Sequence, residues 1–212
     1  MQTTSSFSRD NLHTLCNQLA QKDTALYKII KEYGYPPCWT RKASFETLIH
    51  IILEQQVSLA SAKAALVKLK QKTGIVTPAK LLQLSDADLK ACYFSRQKIV
   101  YARCLAKAIA DKKISIKQLA TLPDEEIRRQ LTSIKGIGNW TTDVFLMMVL
   151  HRTDLFPTGD IALMNSVRYI KQLPADSSTD RILLIAEAWR PYRTVAAFLC
   201  WHAYIRRKNI VY

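Results

Sequence analysis

The sequence has no apolar run long enough to cross a bilayer. A helical span needs roughly 20 such residues, and the longest candidate, 144–150, is far shorter. The opening M-Q-T-T-S-S-F-S-R-D lacks the apolar core of a secretion signal and reads as a frayed polar tail. Cysteine pairing is also missing. Cys16, Cys38, Cys92, Cys104 and Cys200 are odd in number and scattered, with no C-x-x-C pair. That argues against a disulfide framework and a zinc site, and for reduced thiols in a cytoplasmic protein. His13, His50, His151 and His202 are equally dispersed, so no metal site is expected. There is no Walker loop, no G-x-S-x-G, no H-E-x-x-H and no dinucleotide fingerprint, which removes the commonest enzyme classes. Hairpin-and-strand signals are nearly absent. Acidic residues are scarce: 17 Asp and Glu face 31 Lys and Arg, for a formal net charge of +14. Such an excess suits a polyanion, either nucleic acid or an acidic membrane surface. The basic residues are spread along the chain, which favours a folded basic face over a disordered arm.

What the chain does contain is helical periodicity, in 212 residues that suffice for one large domain or two small ones. Residues 10–33 predict a first helix, capped by Asp10, with Leu12, Leu15, Leu19, Leu26, Ile29 and Ile30 on its apolar face. In the loop Y-G-Y-P-P-C-W (33–39), Tyr33, Tyr35 and Trp39 either line a pocket or pack under the loop. Ser44 caps a helix that buries Phe45, Leu48, Ile49, Ile52 and Leu53 and runs into E-Q-Q-V-S (54–58). The amides of Gln55 and Gln56 suit base edges or backbone, and equally suit a solvated helix end. Further helices follow over 58–71, over 79–84 behind Pro78, and behind Ser85 with Asp86 and Asp88 in the first turn. Another starts at S-R-Q-K (95–98), with Ile99, Tyr101, Leu105 and Ile109 inward, and a short one covers 116–122. Pro123 introduces D-E-E-I-R-R-Q-L. Residues 140–150 are apolar all round and predict a buried helix. After F-P-T-G come Asp160 and the helix I-A-L-M-N-S-V-R-Y-I, a polar linker (174–179), a helix over 181–189, and a last helix containing Y-R-T-V-A-A-F-L-C-W-H. The fold class expected is all-α, with about ten helices and no sheet.

Two places can carry chemistry. The first is L-T-S-I-K-G-I-G-N-W-T-T-D (131–143), where Gly136 and Gly138 interrupt one helix and a second begins at once. Two such glycines admit left-handed backbone angles and leave no side chain in the way. The N–H groups there lie at a helix N-terminus, where the peptide dipoles favour an anion. With Lys135 beside them, the natural ligand is a nucleic-acid phosphate; a tight helix–helix turn without a ligand fits the same residues. The second is Asp160, which reads equally as an N-cap and as a carboxylate aimed at a cationic transition state, two roles that are compatible.

I-K-G-I-G-N-W-T-T-D, then F-L-M in a buried helix, then F-P-T-G-D-I-A-L resembles the helix-hairpin-helix DNA glycosylase superfamily. F-E-T-L-I-H-I-I-L-E-Q-Q-V-S and W-R-P-Y-R-T-V-A-A-F-L-C-W are similar to its DNA-3-methyladenine glycosylase II branch, and the resemblance covers residues 40–205. It implies two helical lobes flanking a cleft: 1–43 packing with 151–212, and 44–150 between them, with the helix-hairpin-helix at 127–150. It implies a monofunctional enzyme that removes alkylated purines, 3-methyladenine and 7-methylguanine, from duplex DNA. Asp160 is then catalytic. Trp140 and Trp201 match pocket aromatics, with Trp39 and Tyr35 added to the base pocket. Gln55, Gln56 (the wedge), Ser58, Lys135, Gly136, Ile137, Gly138 and Thr141 face DNA. A monovalent cation is implied at the carbonyls of Thr132, Ile134 and Ile137. No cofactor, a monomer and a cytoplasmic location are expected, nucleoid-associated through DNA binding if the source is bacterial. Lyase relatives carry a lysine two positions after the last hairpin glycine; here Trp140 stands there. The four-cysteine iron–sulfur loop of other branches is excluded, since only Cys200 lies beyond residue 150. Tyr93-Phe94 replaces a glycine that relatives often place before S-x-x-K. The alternatives are a relative acting on oxidised or deaminated bases, or a DNA-binding module without turnover.

Overall fold

Small polar side chains start most of the helices, because the first N–H groups of a helix need acceptors from outside it. Ser44, Ser58, Ser85 and Ser95 each accept a bond from the backbone N–H three residues on. In the computed structural model, which describes residues 5–210, the elements are α1 (Arg9–Lys22), α2 (Thr24–Tyr33), α3 (Phe45–Glu54), α4 (Leu59–Thr73), α5 (Pro78–Gln83), α6 (Asp86–Ala91), α7 (Arg96–Ala110), α8 (Ile116–Leu119), α9 (Asp124–Thr132), α10 (Asn139–Val149), α11 (Ile161–Ile170), α12 (Thr179–Glu187) and α13 (Arg193–Arg207). Among the described residues there is no strand, only an isolated bridge between Ser6 and Arg152. No helix among them is long and apolar enough to cross a membrane.

The periodicity that suggested one helix over 10–33 is divided in two. The carboxylate of Asp23 accepts from the N–H groups of Ala25 and Leu26 and starts α2. Asp23 breaks the helix because capping from the side chain requires an extended backbone at that residue (φ −140°, ψ 106°). The cap of α1 is Ser8, not Asp10: its N–H donates to Asn11 Oδ1 (2.8 Å), and Asp10 sits in the first turn. The expected frayed tail is also corrected in part. Residues 1–4 lie outside the described residues, but Phe7 is buried in the core and its N–H donates to the His151 carbonyl.

The described chain divides into two compact units, 5–40 with 146–210, and 41–145. In the first, α13 packs on α1, α2 and α11, and α11 packs on α12. Its core combines Leu12, Leu15, Leu19, Leu26 and Ile29 with Leu163, Val167, Ile182, Trp189 and Phe198. Residues 194–203 of α13 are all buried, so this helix is the unit's centre. In the second unit α7 packs on α3, α5 and α6, and α3 on α4. Leu48, Ile49, Ile51, Ile52, Leu69, Leu81 and Leu105 are fully buried there. Each large aliphatic side chain so removed from water contributes about 1.5–3 kcal/mol.

Candidate functional site

Within the second unit, the hairpin between α9 and α10 is built on alternating burial. Leu131, Ile134 and Ile137 fill the core, while Lys135 and Gly138 face outward. Gly136 holds φ +92°, and a Cβ placed on it would lie 2.0–2.5 Å from ring atoms of Tyr101. Both the backbone angle and the tyrosine therefore demand glycine. Gly138 departs from the sequence expectation: it does not take a left-handed angle, and a Cβ there meets nothing within 4 Å. Its absence of side chain leaves open space next to the first turn of α10. There the N–H groups lacking helical acceptors carry partial positive charge. That is the geometry of an anion site.

Three contacts stiffen the turn. The Gln55 amide Nε2 donates to the Gly136 carbonyl (2.9 Å) and to Thr141 Oγ1 (3.0 Å). The Gly138 carbonyl accepts from both the N–H and the hydroxyl of Thr142 (3.1 Å each). Arg128 of α9 donates to Asn139 Oδ1 (3.0 Å) and pairs with Asp143 (2.5 Å), one helical turn apart on α10. Gln55 and Thr141, expected on the DNA-facing surface, are thus internal supports. Thr141 is fully buried and its hydroxyl is engaged. Ile137 is buried as well, so only its main chain is placed to meet a ligand.

Gln56 is the residue that stands out. It is exposed, and its backbone lies in the left-handed region (φ 56°), uncommon for a residue with a side chain. The turn behind it is fastened at two points. Lys98 Nζ donates to the Leu53 carbonyl (2.6 Å) at the C-terminal end of α3, where a cation also meets the helix dipole. Burial pushes the Lys98 ammonium below its ordinary range. Arg41 holds Glu54 with two parallel bonds, 2.7 and 2.9 Å. Ser58 is exposed and caps α4 through the Ser61 N–H. Tyr93 likewise holds a left-handed angle (φ 65°), uncommon for a residue with a side chain.

Asp160 belongs to the first unit and is both a cap and an oriented carboxylate. Its Oδ1 accepts from the Leu163 N–H (2.7 Å) and from the indole N–H of Trp201 (3.1 Å). Trp201 is buried, and its ring meets Trp39 edge-on at 6.4 Å and Phe198 at 5.9 Å. Trp39 in turn meets Phe198 edge-on at 5.1 Å. Trp201, Trp39 and Asp160 are therefore brought together. Tyr35 is not: its hydroxyl donates to Asn17 and its ring stacks on His13, both on α1. Trp140 is half-buried in the first turn of α10, in the other unit.

The loop before Asp160 is tied down from α13. Arg193 forks onto Asp154 (Nε to Oδ1, 2.8 Å), the Leu155 N–H donates to Thr194 Oγ1 (3.0 Å), and the Thr194 N–H donates to the Thr153 carbonyl (2.9 Å). The sequence assigns no role to Arg193, Thr194, Arg128 or Lys98, and places Tyr101 only on the inward face of its helix. The signal for Arg128 was present: Asn139 and Asp143 share one face of α10, four residues apart, opposite an arginine. The others depend on contacts 30 or more positions apart, which no local pattern encodes.

Comparison with known proteins gives a consistent set. Residues 49–191 match the HhH-GPD superfamily of base excision DNA repair proteins. DNA-3-methyladenine glycosylase 1 of Schizosaccharomyces pombe is 31% identical over 180 residues, which cover 83% of this chain and 79% of that protein. A solved structure of the S. pombe 3-methyladenine DNA glycosylase in complex with abasic DNA superposes with a TM-score of 0.83 at 28% identity, over 92% of this chain and 97% of the other. The DNA-3-methyladenine glycosidase of Bacillus halodurans superposes with a TM-score of 0.72 at 27% identity, over 97% of this chain and 95% of the other.

Proposed function

Because the chain belongs to the HhH-GPD superfamily of base excision DNA repair proteins, we propose that it is a monofunctional DNA glycosylase that excises alkylated purines, 3-methyladenine and 7-methylguanine, from duplex DNA. The observation that carries the reading is the Asp160 carboxylate, held at a helix N-terminus by the Leu163 N–H and the Trp201 indole. The names of the relatives supply the substrate class.

Chemistry on a stacked base requires the nucleotide to leave the duplex first. The hairpin N–H groups and Lys135 grip the backbone, and Gln56 fills the gap in the stack. Purine alkylation at N3 or N7 has already made the base cationic. The C1′–N9 bond breaks with its electron pair moving to the purine, which departs neutral. The oxocarbenium sugar left behind faces the Asp160 carboxylate, which stabilises its charge and orients a water molecule. That water adds to C1′ and yields its proton through the carboxylate to solvent. Trp140 takes the position where lyase relatives carry their amine, so no Schiff base forms and the strand stays intact at an abasic site. An indole face suits a cationic base by about 0.5–2 kcal/mol. A monomer suffices for all of these steps. A monovalent cation, if bound, would be held by the carbonyls of Thr132, Ile134 and Ile137, of which that of Ile134 already accepts one bond, from the Ile137 N–H.

The test is base release from a methylated duplex. Asn caps a helix about as well as Asp, so Asp160→Asn removes the charge with little effect on the fold. Release of 3-methyladenine is expected to fall by about 10²–10³-fold, while binding to an abasic-site analogue persists and the DNA strand remains uncut. Near-normal turnover in the variant would reduce Asp160 to a cap. Release from oxidised or deaminated duplexes instead would change the substrate class, and no release from any would leave a DNA-binding module.

A further inference from the structure

Beside the hairpin, the C-terminal end of α7, the loop after it and the last turn of α9 enclose an open cavity of about 460 Å³ within the second unit. Its wall carries Lys107, Lys113, Arg129 and Lys135 against one carboxylate, Asp111. The Arg129 guanidinium is engaged by Glu126 through two bonds, 2.6 and 2.8 Å, so its charge is met locally. Among the described residues, no ion pair or side-chain hydrogen bond engages Lys107, Lys113 or Lys135. Two helices, α7 and α9, end at this cavity, and each C-terminus carries about half a negative charge. The three lysines more than offset those ends together with Asp111. All three are exposed, so their charge reaches whatever enters.

The cavity is continuous with the hairpin. Ser133, Ile134 and Lys135, which line it, are the residues through which α9 enters the glycine turn. Its volume is far larger than one phosphate ion needs, and its cations come from the end of α7, the following loop and the hairpin entry. That is the layout of a track for a repeating polyanion. We propose that this groove is a second phosphate-binding surface, which takes the stretch of DNA backbone next to the one gripped by the hairpin. It rests on the DNA-binding activity proposed above. The shared chemistry is a phosphate anion, and the source assigned is the nucleic-acid backbone, with free phosphate the alternative that the test separates.

The groove also contains its own reporter. Cys104 lines it and is half-buried, while Cys16, Cys92 and Cys200 are buried and Cys38 lies in the other unit. Two measurements on the full chain decide the matter. First, binding of an abasic-analogue duplex is followed against salt for the wild type and for Lys107→Ala/Lys113→Ala, both surface changes. Each phosphate contact contributes about 0.9 to the slope of log K on log salt, so the slope should become shallower by about two. Second, Cys104 alkylation by iodoacetamide should slow several-fold under saturating duplex and stay unchanged under inorganic phosphate at matched ionic strength. An unchanged slope overturns the proposal, as does Cys104 labelling at full rate under duplex. Equal protection by inorganic phosphate overturns it too, in favour of a free-anion site. Wild-type protein that binds the duplex and shows the slope difference, yet releases no base, would sink the proposed activity and leave the groove standing.

Discussion

Gly136 and Gly138 look alike in the sequence and do different work. At Gly136 an added methyl meets both a left-handed backbone and the Tyr101 ring, 2.0–2.5 Å away. Gly136→Ala should lower stability by about 2–4 kcal/mol, combining backbone strain with overpacking. Gly138→Ala meets open space and should shift stability by less than about 1 kcal/mol. It should instead weaken duplex binding, because on the proposed reading the methyl would stand where the DNA backbone approaches. Urea midpoints and duplex titrations on the two variants separate the roles; equal destabilisation would contradict the assignment. The sequence made both glycines visible as a turn and Asp160 visible as a cap, since these properties are local. It could not show that Tyr101 sits over Gly136, that Gln55 holds the turn, or that the Trp201 indole is bonded to Asp160. Those contacts span 35, 81 and 41 positions. For the same reason residue type alone suggests a base-pocket role for Tyr35, whereas its partners, Asn17 and His13, lie on α1.

At the scale of elements, Asp23 joins three helices. Besides starting α2 it accepts from Lys171 Nζ (2.6 Å), just past α11, and from the Trp189 indole (2.7 Å), just past α12. Burial pushes its carboxyl up, but hydrogen bonds from Lys171 and Trp189, the Lys171 charge and the Ala25 N–H outweigh that and hold it below the usual carboxylate range. A carboxyl lowered on folding stabilises fully above its unfolded value, near 3.9, and that stability is lost as the pH falls through the folded value. Wild-type stability should therefore decline in acid below about pH 4. Asp23→Ala should be weaker by about 3 kcal/mol near neutrality, since it leaves a half-buried lysine and a buried indole N–H without their acceptor, and flatter in acid. Denaturation curves from pH 3 to 7 test this; parallel curves would rule out the node. The serine caps were legible because each acts within three residues. The break at Asp23 was hidden because the apolar period of α1 continues in phase through α2. An aspartate in the middle of such a pattern is the one local sign of the break.

Across the whole molecule, the all-α class followed from periodicity, and the DNA partner from a net charge of +14 joined to a glycine turn. Charge alone left a membrane surface open. Affinity for undamaged duplex should fall by about 10³-fold or more between 50 and 200 mM salt if six or more phosphates are met. Anisotropy titrations read that slope, and a flat response would show that the basic residues are not gathered on DNA. One contact has a consequence for how such a protein searches. Gln55 fastens the hairpin, and its neighbour Gln56 is the residue that would press on the base stack. On the proposed reading, load on the probing side chain enters a turn that Lys98 and Arg41 also brace, and reaches the hairpin through the Gln55 amide. Probe and grip would then share one support, so that the resistance of a base pair would be felt at the backbone contact.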